Sequence, residues 1–340
     1  MRVLLAIPVY DYGIPELGFS TEYSSLYLCL KAMGVDVILF DYVTRWQEVG
    51  QEQMNKDLLQ AVLAEIPDLV LVSLYTDQFI PEVLDEIRCH TISVYYAYDD
   101  MWRTDFVDFW APHFTYVTTS YIRGVENMRA RGHPNGIYLS LACNHYVYVK
   151  KDLPKKYDIS FVGMRHPYRQ WLVHWLEKSG LRVRVWGRGW GDPIWARLSK
   201  KGRIPLETLV DIINQSKINL NLSNETSWDV RYLLSSPWAI WNTLRSKKHF
   251  APVNLRVFEI NSCGSFQLVP YMEGLEKRYD IGNELVTFSN PEQLVERVRY
   301  YLDHEDEREV IAQRGYEHTL QEHTLEQRFR QLFAAIGLSL

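Results

Sequence analysis

Cysteine is scarce in this chain of 340 residues: Cys29, Cys89, Cys143 and Cys263 stand far apart, with no CxxC pair among them. That spacing excludes a zinc knuckle and a disulfide framework, and it predicts a reducing, cytoplasmic setting. Long apolar runs are missing as well. No stretch of about 18 uncharged apolar residues occurs, which excludes a membrane-spanning helix, and the opening MRVLLAIPVYDYG turns acidic too soon for the apolar core of a secretory leader. Neither an internal repeat nor a low-complexity tract is present. Positive charge is not in excess: the net charge of −5 excludes a nucleic-acid coat. Histidines His304, His318 and His323 lack ligand spacing, so no metal site is expected.

What is there fits an ordinary folded protein of about two domains, with 47% hydrophobic and 23% charged residues. The charge is uneven: residues 1–150 carry 10 Lys+Arg against 19 Asp+Glu, and residues 151–340 carry 27 against 23, so the halves are −9 and +4. A phosphorylated ligand in the second half would suit this polarity. Aromatics reach 14%, with 11 Trp, enough for stacking on sugar faces as well as for filling cores.

Short β-branched runs alternate with helical patterns along the whole length, which predicts an α/β protein of parallel sheets covered by helices. Strands are expected at Val3–Ile7, Val35–Phe40, Leu69–Leu74, Ile92–Tyr96, Phe114–Thr118 and Ile137–Leu141. After the basic, proline-broken linker Lys150–Tyr157 they resume at Ile159–Gly163, Val183–Trp186, Ile218–Leu222, Phe266–Val269 and Leu285–Phe288. Helices are expected after Pro167, Pro205, Asn254 and Asn290. Asn290, Pro291 and Gln293 form a helix start, followed by the stripe Leu294, Val295, Val298 and Leu302. The expected domains are 1–150, 151–322, and a C-terminal helical segment 323–340 that packs back on the first.

Gly187, Gly189 and Gly191 follow a strand but give GxGxG, and Asp192-Pro193 stands where a dinucleotide fingerprint would continue into a helix. Gly187 can still admit a ligand at the strand end, or simply turn the chain. Asp99 and Asp100 follow Ile92–Tyr96 at the C-terminal edge of a sheet, where a base for an acceptor hydroxyl belongs. Asp100 is the candidate, or else the N-cap of a helix Trp102–Trp110; His113 is the second candidate base. The loop Tyr10–Glu22 is expected to line the acceptor side. The basic cluster 182–203 is a solvated face, or a contact for a phosphorylated acceptor or for the surface of an anionic membrane.

The segment Leu255–Glu322 carries R-x-F-E at Arg256–Glu259, then Cys263-Gly264, an apolar strand and a later N-P-E-x-L helix. With Phe161–Gly163 and Lys217–Ser223 upstream, it resembles the C-terminal domain of glycosyltransferases of the GT-B fold, closest to the CgeB-like spore-maturation and group 1 families. The first half is similar only through GFSTEYSSLYLCLKAMG and Tyr95–Arg103. The resemblance implies two Rossmann-like domains facing across a cleft, and transfer of a sugar from a nucleoside diphosphate sugar, UDP-sugar foremost, to a hydroxyl of a glycan, lipid-linked or small acceptor. It implies no cofactor and no metal, and it favours retention. It places Glu259 on the ribose diol and Arg256 and Arg165 at the diphosphate, with Gly163, Gly187, Asn221, Ser223 and Gly264 around the donor. The alternative for Glu259 is a helix ion pair with Arg256. The sequence departs from a Glu-x7-Glu pattern, since residue 251 is Ala. A nucleotide-sugar epimerase and a catalytically silent nucleotide-sugar-binding protein are the alternatives.

Overall fold

The computed structural model describes residues 1–190, 204–249 and 252–340. The chain forms two compact units, Met1–Tyr146 with Leu325–Leu340, and Val147–Thr324.

Unit 1 is built on a parallel sheet of β1 (Arg2–Ile7), β2 (Asp36–Asp41), β3 (Leu69–Val72), β4 (Ile92–Tyr95), β5 (Tyr116–Thr119) and β6 (Gly136–Tyr138), in the order β2-β1-β3-β4-β5-β6. In β1, Val3 lies opposite Val37 on one side and Leu69 on the other. The unbroken apolar run of β1 follows from burial on both faces, as parallel sheets require. One face packs under α2 (Tyr42–Glu65), α3 (Pro81–His90) and α4 (Thr104–Trp110), through Met54, Leu58, Leu84, Ile87 and Trp110. The other face packs under α1 (Leu28–Ala32) and the chain's last helix, which supplies Phe329, Leu332 and Phe333 to the same core as Val3 and Leu5. Helix α5 (Gly124–Ala130) lies between β5 and β6.

Unit 2 has β7 (Tyr157–Val162), β8 (Val183–Trp186), β9 (Ser216–Leu220), β10 (Gln267–Pro270) and β11 (Val286–Phe288), all parallel, in the order β11-β10-β9-β7-β8. Helices α6 (Pro167–Lys178), α7 (Leu206–Asn214), α8 (Val230–Leu233), α9 (Pro237–Arg245), α10 (Leu255–Ser262), α11 (Pro291–Asp303) and α12 (Glu305–Glu322) connect or cover them, and α13 (Leu325–Ala335) is the helix returned to unit 1. Asn290 caps α11 as expected from sequence: its Oδ1 accepts from the Gln293 amide at 2.8 Å, and Gln293 Oε1 reaches back to accept from the Ser289 amide at 2.7 Å.

Each expected strand is found, with ends shifted by up to three residues. Two details differ. Helix α4 starts at Thr104 rather than Trp102, because Asp99 is left-handed (φ 56°) and its carbonyl first closes a turn onto the amides of Trp102 and Arg103. The segment between β9 and α10, for which no helix was expected, holds α8 and α9. Among the described residues no helix is long and apolar enough to cross a membrane.

Candidate functional site

In a parallel sheet every strand delivers the residues that follow it to the same edge, and ligands bind where the strand order reverses. In unit 2 that point lies between β7 and β9, which pair directly although β8 comes between them in sequence. The loops after both strands are tied together by Arg169 in the first turn of α6. Its Nε donates to the carbonyls of Leu222 (2.9 Å) and Ser223 (3.0 Å), and its Nη1 donates to that of Met164 (3.0 Å). Burial, with the nearby Arg256 cation, lowers the Arg169 pKa to about 10. At the start of α6, His166 is driven down to about 4 by burial and by the charges of Arg169 and Lys248, so it is neutral at physiological pH.

Arg256 and Glu259 stand one turn apart on α10, whose N-terminus lies at this same edge, since the helix runs back to enter β10. Arg256 Nη1 is 3.0 Å from Glu259 Oε2, and the Glu259 side chain is buried. Burial disfavours the Arg256 charge, but Glu259, Tyr148 and Cys263 outweigh it and raise the pKa. Burial, with the nearby Glu259 carboxylate, pushes the Tyr148 hydroxyl well up. The ion pair allowed by the sequence therefore forms, on a helix face that is largely covered. Asn221 links the end of β9 to this helix, its Nδ2 reaching Asn254 Oδ1 and Gln267 Oε1, both at 3.3 Å. Ser223 is buried two residues on, and burial raises the pKa of the adjoining Glu225, opposed by the Ser223 hydroxyl.

Gly163 and Gly187 let the ends of β7 and β8 touch. A Cβ on Gly187, which sits at φ +124°, would lie 2.3 Å from the Gly163 carbonyl oxygen. The Trp190 indole nitrogen donates to that same oxygen at 2.8 Å. Arg165, on the loop after β7, is held by its backbone to Arg188 (2.9 Å) and by its side chain to Gln170 Oε1 (2.6 and 2.9 Å). Gly264 is not brought to this cluster. It ends α10 at φ +61° and turns the chain into β10, at the opposite edge of the sheet. Gly191, Asp192, Pro193, residues 191–203 of the basic cluster and Ala251 lie outside the described residues. Arg169 went unnoticed in the sequence, yet a signal existed: a cation in the first turn of a helix opposes the helix dipole and calls for a reason.

In unit 1 the strand order reverses between β1 and β3. The loop after β1 and the start of the following helix carry a stack of rings: Tyr10 on Phe19 (5.6 Å), Phe19 on Tyr23 (4.3 Å) and Tyr23 on Tyr27 (4.9 Å). Residues Tyr23–Tyr27 form a π-helical turn, a local irregularity that often accompanies function. Tyr12 meets Tyr75, from the loop after β3, edge to face at 5.7 Å. At the same edge Asp100 is 5% exposed. Its Oδ2 accepts a hydrogen bond from Thr119 Oγ1 at 2.5 Å, whereas its Oδ1 has no partner. Burial raises the Asp100 pKa, and Thr119 only partly offsets that. Asp100 therefore does not cap α4, whose first helical residue is four positions further on. His113 is placed apart from Asp100: it precedes β5, at the other edge of the sheet, where its Nδ1 lies 3.0 Å from Asp85 Oδ2 of α3.

Two such α/β units, each with a cluster at its switch point, define a class. The family model described as glycosyl transferase-like matches residues 165–334, and the chain belongs to that family. Its two parallel-sheet domains share the fold of GT-B glycosyltransferase structures. Sucrose-phosphate synthase from Thermosynechococcus elongatus is similar over 98% of this chain and 99% of its own, with a TM-score of 0.61 at 13% identity. Anabaena HepE, solved in complex with UDP-glucose, is similar over 99% of both chains, with a TM-score of 0.63 at 10% identity. In sequence, the spore protein CgeB of Bacillus subtilis (strain 168) is 23% identical over 205 residues, 58% of this chain. The chain spans only about 60% of the length of that curated relative.

Proposed function

We propose that the protein transfers a glycosyl group from a nucleoside diphosphate sugar, UDP-sugar foremost, to an acceptor hydroxyl, with retention and without a metal ion. The observation that carries this is the gathering of cations at the switch point of unit 2. Arg256 stands close enough to lower Arg169, and Arg169 and Lys248 together act on His166. Like charges held together in a part-buried place favour an anion there, and guanidinium groups suit a diphosphate. The N-termini of α6 and α10 point to the same edge and add their dipoles. Glu259 is an acceptor for the ribose diol, and Arg165 is a further cation on the loop after β7. Charge developing on the departing diphosphate is met by these groups, which is why no metal is needed.

The rings of the loop after β1 offer a stacking surface to an acceptor, and the unpartnered Oδ1 of Asp100 accepts a hydrogen bond from its hydroxyl. Retention rests on the likeness of the second half to group 1 glycosyltransferases. An acceptor screen with UDP-sugars, read by UDP release and by the anomeric configuration of the product, tests this reading. UDP release that depends on an acceptor, with an unchanged anomer, is expected. Turnover without an acceptor would point to epimerisation instead, and an inverted product would remove retention.

A further inference from the structure

Between β9 and α10 the chain leaves the C-terminal edge of unit 2 as α8 and α9. Helix α9 starts firmly: Pro237 occupies the first turn and Ser236 Oγ accepts from the Ala239 amide at 3.1 Å. Its inward face is small and polar, with Ala239 and Thr243 buried and the Thr243 hydroxyl 2.6 Å from that of Thr226. Its outward face is apolar. Trp238, Ile240, Trp241 and Leu244 are 58%, 43%, 51% and 66% exposed, and at about 100° per residue they span an arc of about 160°. Leu234 and Val230, just before the helix, are exposed as well. This is the reverse of a helix whose apolar stripe faces a core.

The charges within this stretch of sequence are all positive. Residues 230–249 contain Arg231, Arg245, Lys247 and Lys248 and no Asp or Glu, within a chain of net charge −5. Arg231 is taken up by Asp229 and Glu292; Arg245 lies 4.8 Å over the Trp241 ring, and Lys247 follows the helix with its side chain exposed. Apolar side chains led by tryptophan, rimmed by Lys and Arg, match the boundary between lipid headgroups and acyl chains. A second copy of the chain fits poorly, because a two-fold contact would set this positive rim against itself.

We propose that the face formed by α9 and the end of α8 docks unit 2 onto the surface of a bilayer containing anionic lipid. The indoles and Leu244 sit in the interfacial zone, and Arg245 and Lys247 pair with lipid phosphates. This stands independently of the reading of the reaction. It also differs from the basic cluster 182–203, since its core is apolar.

Co-sedimentation of the full chain with phosphatidylcholine vesicles, with and without phosphatidylglycerol, tests it. The chain is expected to pellet with the anionic vesicles and its tryptophan emission to shift to the blue. The triple variant Trp238→Ser, Trp241→Ser, Leu244→Ser should lose binding by about tenfold or more. Arg245→Glu with Lys247→Glu should remove the preference for phosphatidylglycerol. The thermal midpoints of both variants should match the wild type, because the side chains are exposed. Equal partition of the wild type to both vesicles, or undiminished binding by the triple variant, would overturn the proposal. So would a dimer in light scattering that the triple variant abolishes.

Discussion

Replacing Asp100 by Asn changes one atom and separates two consequences of its burial. At 5% exposure, with Oδ2 held by Thr119 Oγ1 at 2.5 Å and Oδ1 unpartnered, the carboxylate is costly to keep ionised. Asn keeps its Oδ1 on the Thr119 hydroxyl, which turns its NH₂ group to the free side, so a donor replaces the acceptor that the substrate hydroxyl needs. The lost charge-assisted hydrogen bond is worth about 1.5–3 kcal/mol, or about 10- to 150-fold in kcat/KM for the acceptor. Donor affinity should not change. Stability should move the other way. Because the folded-state pKa of Asp100 is raised, its ionisation costs stability above the ordinary carboxylate range, and that cost disappears as pH falls through the raised value. The variant should therefore melt higher than the wild type near neutral pH, by about 2–4 °C for each kcal/mol, and the gap should close on acidification. Steady-state kinetics with saturating donor and thermal melts across pH measure both. Wild-type turnover together with a lowered melting point at neutral pH would refute the reasoning and make Asp100 a structural residue.

Glu259→Ala should weaken nucleotide-sugar binding by about 10- to 150-fold through the loss of charge-assisted hydrogen bonds, measured by calorimetry. Unchanged affinity would take Glu259 out of the donor site. Transfer should persist in EDTA, since Arg side chains and helix N-termini meet the diphosphate charge; complete loss restored by magnesium or manganese would show that a metal does this instead.

The architecture was legible because parallel strands buried on both faces read as near-continuous apolar runs, as in β1 and β3, bounded by residues that punctuate turns. Asn290 and Gln293 announced α11 for a local reason, since a cap uses only neighbours in sequence. Site residues were harder, because nearness to a motif does not say which edge of a sheet a residue reaches. Gly264 follows Glu259 closely, yet α10 carries it to the far edge, and His113 precedes its strand where Asp100 follows one. Arg169 was betrayed only by its place in the first turn of α6, where a cation opposes the helix dipole. The apolar side of α9 could not be recognised either, because a stripe of Trp, Ile and Leu looks the same whether it faces a core or solvent.

The central claim is that unit 2 holds a nucleoside diphosphate through the cations gathered between β7, β9 and α10. Thermal denaturation of the wild-type chain with UDP, UDP-sugars and UMP tests it most directly. A diphosphate at 100 times its dissociation constant should stabilise the fold by about 2.7 kcal/mol, and UMP at the same concentration by much less. A chain that no nucleoside diphosphate or its sugar stabilises, or that UMP stabilises as much as UDP, would contradict the account.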